Sequence, residues 1–235
     1  MDPKSFYDSL WNAKSQSEFR PAIAPNRFRR FVLDLFLQPL ANPRYEVALA
    51  LLEGGDRILD IGCWNGYFLE RVRERNLYGE FYGVDLVEEG VEAARIKGFQ
   101  AHVVDLNRQV LPFADDYFDG ITMLAVLEHV FDPYAVIREV SRVLKPGGEL
   151  VIVVPNVAWL TNRIRILFGR LPVTSGDVGW DGGHLRYLTK HALDRLLQSG
   201  GFEIVARKTT GGRAQLREWW ISLLAPELVY RCRRR

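Results

Sequence analysis

Between residues 57 and 154 the chain alternates short apolar runs with amphipathic stretches, and that rhythm leaves room for one fold class. Residues 57–61, 80–84, 100–104, 117–124 and 150–154 read as strands. Helical patterns cover 68–75, 88–97 and the stretch that opens at Asp132-Pro133 and runs to Leu144. The last has an aspartate N-cap and a proline at the first helical position. Residues 150–154 are continuously apolar, as a strand buried on both faces requires. Such alternation builds a parallel sheet with helices on both sides, wound by right-handed crossovers. Past residue 155 the rhythm changes to a helix at 157–168, a glycine-rich loop at 171–184 and a helix from Thr189 to Gln198. Strands at 202–207 and 228–233 then flank a short helix at 215–224. Two closing strands without a long helix between them predict an antiparallel final strand, seven strands in all.

The remaining bulk properties narrow the class. At 235 residues with 48% hydrophobic content, one α/β domain can bury a full core. A net charge of +2 gives no electrostatic support for a nucleic-acid partner. The arginines of Arg231-Cys232-Arg233-Arg234-Arg235 could touch phosphates or anionic lipid, and read more readily as a solvated chain end. The apolar stretch 31–40 is broken by Asp34 and Pro39 and falls short of the ~20 residues of a membrane span. With Cys63 and Cys232 the only cysteines and a polar start, a cytoplasmic protein with free thiols is expected. Residues 1–55 are expected to form a helical cap, with Tyr7 and Trp11 as lid residues and Arg20, Arg27 and Arg29 facing an acidic substrate or solvent. Gly54-Gly55 ends its last helix.

Open α/β sheets bind ligands at the carboxyl ends of their strands. The first such end is Asp60-Ile61-Gly62-Cys63-Trp64-Asn65-Gly66, where two glycines permit a tight turn and close backbone approach. Glycine loops also serve NAD, but Asp60 would repel a pyrophosphate and suit a cation, and the Gly-x-Gly-x-x-Gly spacing is absent. Asp85 ends the second strand, where an acid can accept from both ribose hydroxyls. Asp105 ends the third, with Leu106 beside it for apolar contact. Singly, each aspartate could be a turn cap. Together they favour a positively charged adenosine ligand.

Four segments carry a family resemblance: 58–63 (Ile-Leu-Asp-Ile-Gly-Cys), 111–119 (Leu-Pro-Phe-Ala-Asp-Asp-Tyr-Phe-Asp), 126–130 (Val-Leu-Glu-His-Val) and 143–148 (Val-Leu-Lys-Pro-Gly-Gly). In order and spacing the chain resembles the class I S-adenosylmethionine (SAM)-dependent methyltransferases over residues 57–154 and in its closing strands. The resemblance implies a Rossmann-like seven-stranded sheet, a methyltransferase domain over 56–235, and SAM as methyl donor. It places Asp60, Gly62, Cys63, Trp64 and Gly66 at the methionine part of SAM. Asp85 and Leu86 fall at the ribose, Asp105 and Leu106 at the adenine, and Leu124 and Ala125 at the end of the fourth strand. Trp64 departs from the many relatives with glycine there, and is expected to point outward or line the methionine end. Residues 155–191, a substrate-side insertion, are similar to MetW-type proteins of methionine biosynthesis.

A sulfonium methyl is already activated, so transfer needs alignment first, and a base only when the nucleophile must lose a proton. His184, after the glycine-rich loop, is the leading candidate base, with Asp181 to orient it. His129, beside Glu128 after the fourth strand, is a second candidate or a helix anchor. His102 and His191 read as structural. Ubiquinone-biosynthesis O-methyltransferases carry a metal at a Glu-x-x-Glu-His pattern. Here Ala125 takes the first position, and the two donors Glu128 and His129 imply no metal. Residues 219–224 could dock on a membrane or partner, or pack as core. The expected activity is methyl transfer from SAM to an oxygen or nitrogen of a small molecule such as a sugar, lipid-linked compound or secondary metabolite. A MetW-like SAM-binding accessory protein is the alternative. A homodimer or a partner enzyme fits either reading.

Overall fold

The computed structural model describes residues 44–174, 183–211 and 214–235. The expected lid residues Tyr7 and Trp11, the arginines 20, 27 and 29, and Asp181 lie outside the described residues. Seven strands form one sheet: β1 (Gly55–Ile61), β2 (Tyr78–Asp85), β3 (Gln100–Val103), β4 (Phe118–Leu124), β5 (Leu144–Pro155), β6 (Phe202–Thr209) and β7 (Glu227–Arg234). Their order is β3-β2-β1-β4-β5-β7-β6. All neighbouring pairs are parallel except those of β7, which runs antiparallel to both β5 and β6.

The helices are α1 (Arg44–Leu51), α2 (Tyr67–Glu74), α3 (Glu88–Ile96), α4 (Pro133–Val143), α5 (Leu160–Leu167), α6 (Lys190–Ser199), α7 (Ala214–Trp219) and α8 (Ile221–Leu224). A 3₁₀ turn covers Leu127–His129. The apolar run in β5 divides between the two faces of the sheet. Leu150, Ile152 and Val154 join one core with residues of α4 and α6. Val151 and Val153 join the other with residues of α1, α2 and α3. This is the period-2 alternation of a strand covered on both sides. α1, the described end of the expected cap, is tied to this body: the N–H groups of Glu53 and Gly54 donate to Glu149 at 2.8 and 3.3 Å.

Helix starts follow the expected side-chain logic. Asp132 accepts from the amides of Tyr134 and Ala135, both at 3.0 Å, and Thr189 accepts from Ala192 at 3.2 Å. Three local expectations need correction. The helix expected from residue 157 begins at Leu160, because the Asn156 side chain makes a turn with Ala158 (3.1 Å) and donates to the Ala225 carbonyl (2.9 Å). The helix expected over 215–224 is two short helices divided at Trp220. The C-terminal arginines are no solvated tail but part of β7, with Cys232 buried. Arg231 and Arg233 pair with Glu53, and Arg234 with Asp116. Ladder hydrogen bonds and the apolar faces of β7 outweigh the charges, which snorkel to the sheet edges.

Candidate functional site

β1 lies between β2 and β4, where the strand order reverses, so the crevice at its carboxyl end is the natural ligand position. The loop leaving β1 is shaped by Gly62 (φ 79°) and Gly66 (φ 73°), both left-handed. A Cβ at Gly62 would stand 2.3 Å from Cγ2 of Val126, so this glycine also lets the loop after β4 close in. The amides of Gly62 and Cys63 donate to the Val84 carbonyl at 2.8 and 3.1 Å, tying the loop to β2. Trp64 is itself left-handed at φ 45°. Its indole packs over Gly90, where a Cβ would be 2.7 Å from Cε3, so the ring sits on the Asp85 side of the loop. The Cys63 thiol is buried against Gly83, and burial pushes its pKa up, so only the backbone of Cys63 can serve a ligand.

Asp60 is buried, and its Oδ1 accepts from the Thr122 hydroxyl at 2.6 Å. Asp60 and Thr122 are register partners across β1 and β4. Burial pushes the Asp60 carboxyl up to about 7, with the Thr122 bond opposing and the charge of Asp85 adding. A carboxyl poised near neutrality becomes fully ionised when a cation arrives beside it. Asp85 accepts from the amides of Trp64 (2.8 Å) and Val87 (2.9 Å), one on each oxygen. Burial raises its pKa against those two bonds. Each oxygen keeps a lone pair for a ribose hydroxyl. Leu86, between them, is half-buried. Asp105 accepts from the Asn107 amide at 2.9 Å and lies 3.4 Å from Arg108, so it caps its own turn as well as facing the strand ends. Leu106 packs against the core beside it.

The end of β4 carries the second half of the site. Leu124 and Ala125 are half-buried, and Ala125 takes a left-handed φ of 61°. The turn that follows buries Glu128, 1% exposed, and among the described residues both its carboxylate oxygens lack a hydrogen-bond partner. Burial pushes the Glu128 carboxyl up to about 8, opposed by its own backbone amide and by the charge of Arg44. The amides of Leu185 and Arg186 both donate to the Glu128 carbonyl, at 2.8 and 3.0 Å. Those two bonds clamp His184 onto the turn: its Nε2 lies 4.0 Å from Glu128 Oε1, and its ring is 4.8 Å from that of His129. Thr174 Oγ1 is 2.6 Å from His184 Nδ1. His102 lies in β3 with its ring against Phe113, and His191 lies on α6, both away from this group.

Donor atoms of Glu128, His129 and His184 all lie within 4.8 Å of one another. The expectation of no metal rested on two donors, and the fold supplies a third. One carboxylate and two imidazoles suit a divalent cation by donor type. Thr122 and Thr174 were not singled out in the sequence. Register would have revealed Thr122, since it faces Asp60 across adjacent strands. Nothing local marks Thr174, which meets His184 only through the fold.

A family model described as a methyltransferase domain matches residues 26–207. The chain is 29% identical over 166 residues to the ubiquinone biosynthesis O-methyltransferase of Idiomarina loihiensis, covering 65% of this chain and 63% of that protein. It is 29% identical over 148 residues to the bifunctional methionine biosynthesis protein MetXA/MetW of Rhodopirellula baltica, covering 60% of this chain and 23% of that protein. The chain thus spans less than two thirds of the length of these curated relatives. A SAM-dependent methyltransferase from Mesorhizobium loti has the same fold, with a TM-score of 0.59, 21% identity, and coverage of 80% of this chain and 96% of that one. With acidic groups at successive strand ends, glycines turning the loop between them, and a family match over most of its length, the chain belongs to the class I SAM-dependent methyltransferases, whose methyl donor is SAM.

Proposed function

We propose that the protein transfers the methyl group of SAM to a hydroxyl oxygen of a small molecule, with His184 accepting the hydroxyl proton. The observation that carries this reading is the buried group Glu128–His184 at the carboxyl end of β4, next to the strand that bears Asp60. Asp60, through the Gly62–Gly66 loop, holds the cationic methionine end of SAM. Asp85 accepts from the ribose, and Asp105 with Leu106 receives the adenine.

An alcohol is a poor nucleophile until its proton is taken, so a positioned imidazole is the group this reaction needs. In the tautomer whose Nδ1 donates to Thr174, His184 Nε2 carries the lone pair. As the acceptor oxygen attacks the methyl carbon, the C–O bond forms and the C–S bond breaks. The proton moves to Nε2, and S-adenosylhomocysteine leaves neutral at sulfur. Glu128 lies 4.0 Å from the new imidazolium, whose charge favours the ionised form of that carboxyl. The similarity to an O-methyltransferase of Idiomarina loihiensis supports oxygen over nitrogen. Similarity to the MetXA/MetW protein supports a second reading, a SAM-binding accessory role.

The test incubates the protein with methyl-labelled SAM and a panel of phenols, sugars and amines. The expected result is a labelled ether that His184→Asn no longer forms while still binding SAM. Label on amines alone overturns the oxygen reading. No labelled product in the presence of a tightly co-purifying metabolic enzyme favours the accessory role.

A further inference from the structure

We propose that α5 and the turn after it form a docking knob for an anionic lipid surface, whatever acceptor the enzyme uses. Leu167, Phe168 and Leu171 are 79%, 74% and 83% exposed, and Ile164 and Ile166 on the same helix are also exposed. Three arginines, Arg163, Arg165 and Arg170, are interleaved with them, and no acidic residue occurs between Pro155 and Gly176. Elsewhere arginines such as Arg57, Arg71, Arg142 and Arg207 pair with carboxylates. Among the described residues these three pair with none.

The knob is built, not loose. Asn162 is buried and bonds Val173 twice, donating to its carbonyl at 3.1 Å and accepting from its amide at 2.9 Å. Inside that staple, Gly169 turns the chain at φ 69°. Arg165 Nε donates to the Leu171 carbonyl and the Arg170 amide to the Arg165 carbonyl, both at 2.8 Å. The turn is closed by the Asn162 and Arg165 side chains and one backbone bond, and the side chains of Leu167, Phe168 and Leu171 stay outside. A second exposed apolar group is Trp219 at 80% and Trp220 at 52%, and Asn156, between β5 and α5, bonds Ala225 just past α8.

The mixture of charges and apolar tips selects the occupant. Bulky apolar tips with interleaved arginines match an interface of acyl chains under anionic headgroups. A nucleic acid would satisfy the arginines and leave the Leu167, Phe168 and Leu171 side chains in water. A second copy in a two-fold dimer would bring arginines against arginines.

The test is flotation of the full-length protein with vesicles of phosphatidylcholine alone or mixed in equal parts with phosphatidylglycerol. Three cationic side chains predict partition about a hundredfold stronger onto the anionic vesicles, weakening with salt. The triple variant Leu167→Glu/Phe168→Glu/Leu171→Glu is expected to lose at least tenfold of that partition while its melting temperature and SAM affinity stay unchanged. The composition and salt dependence of the unaltered protein decide the matter even if the triple variant fails to fold. The proposal is overturned if the unaltered protein floats with neither vesicle or equally with both. Retention of binding by a folded triple variant overturns it, as does a concentration-dependent dimer that this variant abolishes with no vesicle binding in either protein.

Discussion

His184 Nε2 stands 4.0 Å from Oε1 of Glu128, a buried carboxylate held at the opposite end of a long stretch of sequence. The proposed base thus faces a carboxylate that has no hydrogen-bond partner among the described residues. Replacing His184 by Asn removes the proton acceptor and keeps the shape. Turnover is expected to fall by roughly 10²–10⁴, with SAM affinity unchanged by calorimetry. An equal loss of SAM affinity would show that His184 only supports the fold of the pocket.

The same pair gives a signed pH effect on stability. Glu128 has a folded-state pKa of about 8, above its ordinary 4.5. The folded state therefore holds a proton that the unfolded state releases, and the stability this contributes is complete below about pH 4.5. It is lost as pH rises through about 8. Gln is neutral throughout, so the melting temperature of Glu128→Gln should fall less between pH 5 and pH 9 than that of the unaltered protein. Parallel melting curves for the two proteins across this range would remove Glu128 as the titrating group.

Asp60 predicts proton release on cofactor binding. Its carboxyl is pushed up to about 7 by burial, and a sulfonium and an ammonium beside it favour the ionised form. Near pH 6.5 SAM should displace a fraction of a proton, read by calorimetry in buffers of different ionisation enthalpy. Asp60→Asn should abolish that release and weaken SAM by about tenfold or more. Asp85→Ala should also weaken SAM, and because the Asp85 charge helps to hold the Asp60 carboxyl up, it should reduce proton release near neutrality.

Chelation separates a base from a metal ligand. If His184 takes the acceptor proton, turnover survives EDTA and its loss in His184→Asn is not restored by zinc or magnesium. One tightly held divalent ion per chain, with activity lost on its removal, would instead give Glu128, His129 and His184 a ligating role.

Glu149 is a structural counterpart. Its Oε1 accepts from the Tyr78 hydroxyl at 2.5 Å and from the amides of Glu53 and Gly54. Glu149→Ala leaves the buried Tyr78 hydroxyl and two partly buried amides unpaired, a loss of about 2–3 kcal/mol in urea unfolding. A loss below about 0.5 kcal/mol would mean that water replaces the carboxylate.

The amino-acid order alone specified the strands of the sheet, because the strands and the helices between them announce themselves through local periodicity and caps such as Asp132 and Thr189, although it misplaced the start of α5 and joined α7 to α8. It also marked Asp60, Asp85 and Asp105, since the carboxyl ends of parallel strands must share one edge. What the order could not convey was contact between segments far apart in the chain. Thr122 bonds Asp60 only because β4 lies beside β1 in matching register. His184 reaches Glu128 only because two backbone amides from the later segment bond the carbonyl of the earlier one. The arginines at the C-terminus read both as the end of a strand at 228–233 and as a solvated tail, and the place of β7 between β5 and β6 decides for the strand, because the neighbouring strands supply its hydrogen-bond partners. Burial is likewise a tertiary property. It raises the Asp60 and Glu128 carboxyls, because desolvation depends on what the rest of the chain packs around a residue, not on its neighbours in sequence.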